Sequence, residues 1–192
     1  MKTIQHVIDK EVLAIMGIPI NEQIYDEVLC LIMECKSKII TSGMGKAGHI
    51  AHNFAMTLCS IGIPAVFIHP GEAQHGDLGM IERTDILILF SNSGETDELL
   101  KLTHLSKALH AHILIISILG NTISPLERYS DITIPTGHPD EVCPLGLTPT
   151  TSTTVMKIIC DIIIVLLVEA TGFTKEEYNK RHHGGYLGQK SK

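Results

Sequence analysis

The sequence contains no tryptophan, and aromatic residues make up only 4% of its 192 residues. That scarcity argues against a base-stacking platform for nucleic acid and against an aromatic carbohydrate groove. A basic excess is also missing. Fifteen Lys and Arg against 21 Asp and Glu leave a net charge of −6, the opposite of a nucleic-acid binder's footprint. Charged residues amount to 19%, below the roughly 25% of an average soluble domain; this speaks against disorder and for some surface covered in an oligomer. The five cysteines, Cys30, Cys35, Cys59, Cys143 and Cys160, are odd in number and form no C-x-x-C pair. They read as reduced core thiols of a cytoplasmic protein, not a disulfide framework. The opening MKTIQHVIDKEVLAI is no signal peptide, because Asp9 and Glu11 interrupt it. The most apolar stretch, Ile158–Val168, is broken by Asp161 and falls short of the roughly 20 residues that cross a bilayer. It reads as a helix buried in a core or subunit interface, and no membrane association is expected.

What the chain does have is 44% hydrophobic residues in a length suited to one domain. The expected division is a single domain over 1–192: N-terminal helices in 1–36, an α/β core in 37–172 and a C-terminal active-site segment in 173–192. Residues 1–36 show helical spacing broken near Gly17–Pro19. Five short apolar runs follow, at Ile39–Ile40, 65–69, 86–90, 112–117 and 131–135. Unalternating runs of this length suit strands covered on both faces. They take turns with helical segments, such as 47–60 and one beginning near Thr151 under a cluster of Thr and Ser N-cap candidates. This predicts a three-layer α/β sandwich with a five-stranded parallel sheet, flavodoxin-like. The tail YNKRHHGGYLGQKSK reads as irregular.

In such sheets the working loops lie at the carboxyl ends of the strands. Gly43-Met44-Gly45-Lys46-Ala47-Gly48 matches the G-x-G-x-x-G fingerprint of dinucleotide sites, but no acid stands at the end of the next run to hold a ribose, and a P-loop would need Gly where Ile40 stands. The glycines indicate a tight turn, and Lys46 puts a compact cation at its mouth. Ser91-Asn92-Ser93-Gly94-Glu95-Thr96 offers three hydroxyls before a helix start, a pattern suited to a phosphate monoester. One hydroxyl would suffice for a cap. Two further loops, 72–79 and 141–149, concentrate chemistry-bearing residues. Among eleven histidines, His49-x-x-His52 lacks H-E-x-x-H, and no Cys/His spacing resembles a zinc site. No cofactor or required metal is expected; adventitious zinc is the more plausible metal.

The segments GMGKAGHIAHNFA, HPGEAQHGDLGMI, SNSGETDEL, EVCPLGLTPTTSTT and GFTKEEYNKRHHGGYLG resemble, in the same order, the D-arabinose-5-phosphate isomerases, members of the sugar-isomerase (SIS) domain family. The resemblance runs from about residue 30 to 188. It implies a sugar-phosphate isomerase that interconverts D-ribulose 5-phosphate and D-arabinose 5-phosphate on the route to Kdo and lipopolysaccharide. The family's lysine falls on Lys46, its carboxylates on Glu98 and Glu141, and its histidines on His75 and His182. Ser91, Ser93 and Thr96 match its phosphate loop, with Ser42, Gly43, Gly45, Asn92 and Thr151 as further substrate-binding candidates. Ala47 stands where the family commonly has Ser, and His183 where it has Pro. The chain resembles the family's catalytic domain without the two CBS modules that usually follow.

The mechanism so implied passes through a cis-enediol. Lys46 polarises the carbonyl side, Glu98 or Glu141 takes the C–H proton, and His182 serves ring opening or proton shuttling. The resemblance also implies a homotetramer with active sites at subunit contacts. Inhibitory zinc would bridge His75 and His182 if the two meet. Another SIS isomerase, for a phosphohexulose or phosphoheptose, and a non-catalytic sugar-phosphate-sensing module are the competing readings.

Overall fold

The computed structural model describes residues 3–190; residues 1, 2, 191 and 192, the ends of the expected domain, lie outside the described residues. Two amphipathic helices, α1 (Ile4–Met16) and α2 (Glu22–Glu34), lead into strand β1 (Ile39–Gly43), helix α3 (Gly45–Ser60) and strand β2 (Ala65–Phe67). A short helix α4 (Pro70–Ala73) and a 3-10 turn (Asp77–Met80) connect to β3 (Ile86–Ser91). Then come α5 (Asp97–Leu109), β4 (Leu114–Leu119), a 3-10 turn (Glu127–Tyr129) and β5 (Ile132–Pro135). The chain ends with α6 (Thr151–Thr171), α7 (Lys175–Asn179) and α8 (Gly185–Lys190).

All strand pairs are parallel, in the order β2-β1-β3-β4-β5. This is the three-layer, flavodoxin-like sheet expected from the unalternating apolar runs. Successive β3 side chains serve opposite cores: Ile86, Ile88 and Phe90 pack with α2, α3 and α6, whereas Leu87 and Leu89 pack with Ile68, Leu99 and Leu102 on the other face. The order places a topological switch point between β1 and β3, where consecutive connections leave toward opposite faces and open a crevice at the carboxyl ends.

Helix α6 is long and apolar enough to cross a membrane by length and composition. In this fold it buries Val155, Met156, Ile159, Cys160, Ile163 and Leu167 in the core beside α1, α2 and α3. Helix α1 buries no residue fully. It exposes Ile4, Ile8, Val12 and Met16 at four-residue spacing, one apolar stripe facing outward.

Three expectations are corrected. The fourth strand runs 114–119, not 112–117; Ala111 and His112 are exposed turn residues. Its Ser117 does not end it, because the buried hydroxyl pairs with Thr133 Oγ1 on β5 at 3.0 Å. The glycine-rich tail is not wholly irregular, since α7 runs into its first two residues and α8 forms within it. Among the cysteines, all free, only Cys160 is buried, and Cys30 is exposed on α2.

Candidate active site

The crevice at the switch point is a cavity of about 320 Å³. Lys46 and Ala47 come from the start of α3. Ser91 ends β3, and Asn92, Ser93 and Thr96 come from the β3–α5 loop. Glu141, Gly146, Leu147 and Pro149 come from the β5–α6 loop, and Ser152, Thr153 and Met156 from α6.

The Gly-x-Gly turn has a packing cause. A Cβ on Gly48 would lie 2.3 Å from the Gly43 carbonyl oxygen, so helix and strand meet through bare backbone. Gly45 adopts φ +58 with open space around it. The turn launches α3 with Lys46 exposed in its first turn. A cation there opposes the helix dipole, a local misfit of the kind found at functional positions.

In the serine loop, Gly94 N–H donates to Ser91 Oγ at 2.9 Å and Glu95 N–H to Ser93 Oγ at 3.2 Å. The hydroxyls therefore shape the turn. No side chain caps α5 or α3; Asp97 and Glu98 offset the positive end of α5 in its first turn, whereas the first turn of α3 carries no acid and leaves its positive end at the cavity for an anion.

Glu141 supplies the cavity's carboxylate. Its Oε2 accepts Thr150 N–H at 2.6 Å, Thr150 Oγ1–H at 3.0 Å and Ser152 N–H at 3.4 Å, while its Oε1 accepts the Ser152 hydroxyl. The hydroxyl cluster thus does not cap α6 as expected. Thr150 makes no side-chain cap, and Glu141, nine residues earlier, performs that service. Burial acts to raise the Glu141 pKa. The Ser152 hydroxyl and the Thr150 and Ser152 donors outweigh it and hold the carboxyl below its ordinary value.

The remaining sequence candidates lie elsewhere within one chain. Glu98 is half-buried in the first turn of α5 and does not line the cavity. Ser42 is buried and donates to the Ile68 carbonyl at 2.7 Å. The buried Thr151 hydroxyl donates to Glu11 Oε1 at 2.9 Å and accepts Val142 N–H at 3.0 Å. Gly43 and Gly45 border a neighbouring cavity of about 270 Å³ with His49, His52 and His69. His75 is exposed in the turn after α4.

His182 stacks on Tyr178 with ring centroids 3.8 Å apart, its Nδ1 3.1 Å from the Tyr178 carbonyl oxygen. Its neighbour Arg181 packs against Gly62 at the foot of α3, at the amino edge of the sheet. The 21 residues of α6, about 30 Å of helix, separate that edge from the cavity. His75 and His182 therefore do not meet in one chain, and a zinc bridge between them needs two copies. Among the described residues no group of three His, Cys, Asp or Glu has metal-binding geometry. Ser152, Thr150, Leu147 and Met156 were missed as site residues; the run of hydroxyls was visible, but its partner was not.

Residues 32–166 match the SIS domain family. The chain is 44% identical over 183 residues to the arabinose 5-phosphate isomerase KdsD of Yersinia pestis, covering 95% of this chain and 55% of that protein. The chain spans about half the length of the curated relatives it matches. Among solved structures, one from Bacteroides fragilis, provisionally described as a phosphosugar isomerase involved in capsule formation, superposes with TM-score 0.92 at 53% identity, over 95% of this chain and 97% of that one. An Escherichia coli CFT073 protein solved in complex with arabinose 5-phosphate superposes with TM-score 0.88 at 32% identity, over 93% and 95% of the two chains.

Proposed function

The chain belongs to the SIS domain family, and we propose on that footing that it is an aldose–ketose isomerase interconverting D-ribulose 5-phosphate and D-arabinose 5-phosphate. The observation that carries this reading is the convergence of Lys46, the Ser91–Thr96 hydroxyl loop and the Glu141 carboxylate on one cavity at the switch point. The hydroxyl loop and the uncapped α3 and α5 N-termini hold the phosphate. Anchoring there makes the energy of phosphate binding available at C1 and C2.

In the ketose-to-aldose direction a carboxylate removes a proton from C1. The C–H electron pair forms the C1=C2 bond of a cis-enediolate, whose charge falls on O2. Lys46 stabilises that oxygen. A proton passes between O1 and O2, and the carboxylate returns its proton to C2. Glu141, in the cavity and held in its ionised form by the hydrogen bonds it accepts, and Glu98, which does not line the cavity of its own chain, are the two carboxylates for this step.

His182 reaches a cavity only from a second copy, so the active unit is an oligomer, a homotetramer by family resemblance. The exposed apolar stripe of α1 supports a subunit interface. Five free thiols suit a reducing cytoplasm, and supply of Kdo for lipopolysaccharide is the role that follows. The test is incubation of the purified protein with D-ribulose 5-phosphate and identification of the product by NMR. Formation of D-arabinose 5-phosphate supports the reading; turnover of a phosphohexulose or phosphoheptose alone, or binding without turnover, overturns it.

A further inference from the structure

His138 is the only non-glycine residue with positive φ among the described residues, at φ +50. It follows Gly137, at φ +82, which is pinned against the Gly17 carbonyl: a Cβ there would meet that oxygen at 2.9 Å. Glycine would occupy position 138 without steric cost, and an L-residue in this region is disfavoured. A conformation of this sort persists where the surrounding structure over-determines it, which directs attention to what the side chain meets.

The imidazole packs beside Gly120, at the carboxyl end of β4. A Cβ on Gly120 would lie 2.9 Å from His138 Nδ1, 2.2 Å from Asn92 Oδ1 and 2.5 Å from the Asn92 carbonyl oxygen. Asn92 Oδ1 and His138 Nδ1 thus lie near one point and within about 5 Å of each other, without a hydrogen bond between them in this structure. Asn92 Oδ1 is buried and has no partner in the protein, a condition a donor within reach relieves. Asn92 also lines the cavity between Ser91 and Ser93.

We propose that His138 is a positioning residue for the phosphate loop: its Nδ1–H donates to Asn92 Oδ1 and fixes the Asn92 amide so that its N–H groups donate to the bound phosphate. This rests on the reading of the cavity as a sugar-phosphate site. It adds a residue that the hydroxyl motif does not contain and that comes from the loop after β5.

His138→Gly removes the ring while relieving the backbone, so it separates positioning from folding. Inorganic phosphate, titrated calorimetrically into the whole protein, should bind about 3- to 10-fold more weakly to this variant, the range for losing one neutral hydrogen bond. KM for D-ribulose 5-phosphate should rise by the same factor, with kcat and melting temperature not lowered. His138→Asn should restore binding, because asparagine tolerates positive φ and its amide nitrogen, like Nδ1, is bonded to Cγ. In an Asn92→Ala background the His138→Gly effect should vanish. Unchanged phosphate affinity in His138→Gly overturns the proposal. So does an equal loss in the Asn92→Ala background, or a fall in kcat alone, which would instead assign His138 to the loop that carries Glu141. If the parent protein binds phosphate but isomerises no pentose phosphate, the isomerase reading fails while the phosphate titrations still decide the role of His138.

Discussion

Replacing Glu141 with Gln should damage folding and chemistry together, and by separable amounts. The carboxylate accepts two backbone N–H and two hydroxyl hydrogen bonds at the start of α6. A glutamine oxygen at the Oε2 position keeps the Thr150 and Ser152 N–H donors. Its amide nitrogen then faces the Ser152 hydroxyl, which must turn from donor to acceptor. The bonds survive but lose their charge, and bonds to charged groups contribute about 1.5–3 kcal/mol against about 0.5–1.5 for neutral ones. The complement to the helix dipole goes as well. A net loss of about 1–2 kcal/mol corresponds to roughly 2–8 °C in melting temperature for a chain of this size. If Glu141 also acts on the substrate, turnover should fall about 10²- to 10⁴-fold, the range for a general acid–base group. Glu98→Gln provides the contrast: it breaks no hydrogen bond to Glu98 seen among the described residues and removes only a first-turn charge of α5, so stability to melting should fall by less, about 0.3–1 kcal/mol. Calorimetry and steady-state kinetics on both variants, with deuterium incorporation from D₂O, read the two effects apart. A Glu141→Gln protein that melts lower yet turns over and exchanges at the parental rate would show a helix cap and nothing more. An unchanged melting temperature would refute the capping reasoning itself.

Four further outcomes are expected. Lys46→Ala should lower turnover by about 10²–10³-fold with unchanged or slightly raised melting temperature, since the cation opposes the α3 dipole; kinetics beside thermal melts check this. Because the folded pKa of Glu141 lies below its unfolded value of about 4.3, its stabilisation is present above that value and is lost as pH falls through the folded pKa; denaturant titrations between pH 3 and 6 should show a flatter acid limb in Glu141→Gln. Cys143 is brought to about 7 by the Thr148 hydroxyl and backbone N–H and by the Leu145 N–H, whereas burial pushes Cys160 up; iodoacetamide at neutral pH should label Cys143 first by mass mapping, and more slowly when phosphate fills the cavity its loop borders. Co-expressed Lys46→Ala and His182→Ala subunits should regain activity that neither homo-oligomer has, and hybrids as inactive as their parents would place His182 outside the site.

Parallel strands and the turn beneath Lys46 were readable because their causes are local. Unalternating apolar runs follow from double-sided cover, and the glycines from the contact between Gly43 and Gly48 only a turn apart. Groups joined by chain closure were not readable. Glu141 meets Thr150 and Ser152 across a loop with no periodicity to betray the contact, and the hydroxyls advertised a cap that the carboxylate makes instead. His138 carries no motif; its backbone conformation and the shared space at Gly120 single it out only in three dimensions. The electrostatic plan emerges from the same closure. Three helices, α3, α5 and α6, begin at the cavity, and Glu141 caps the last of them. Asp97 and Glu98 offset the α5 end, so the α3 end and Lys46 are left for the ligand, with one carboxylate held beside them. A dianionic substrate whose reacting carbons lie a few bonds from its phosphate matches that distribution. A neutral sugar would leave the α3 end and Lys46 uncompensated, so the charge distribution at the cavity favours an anionic ligand over a neutral one.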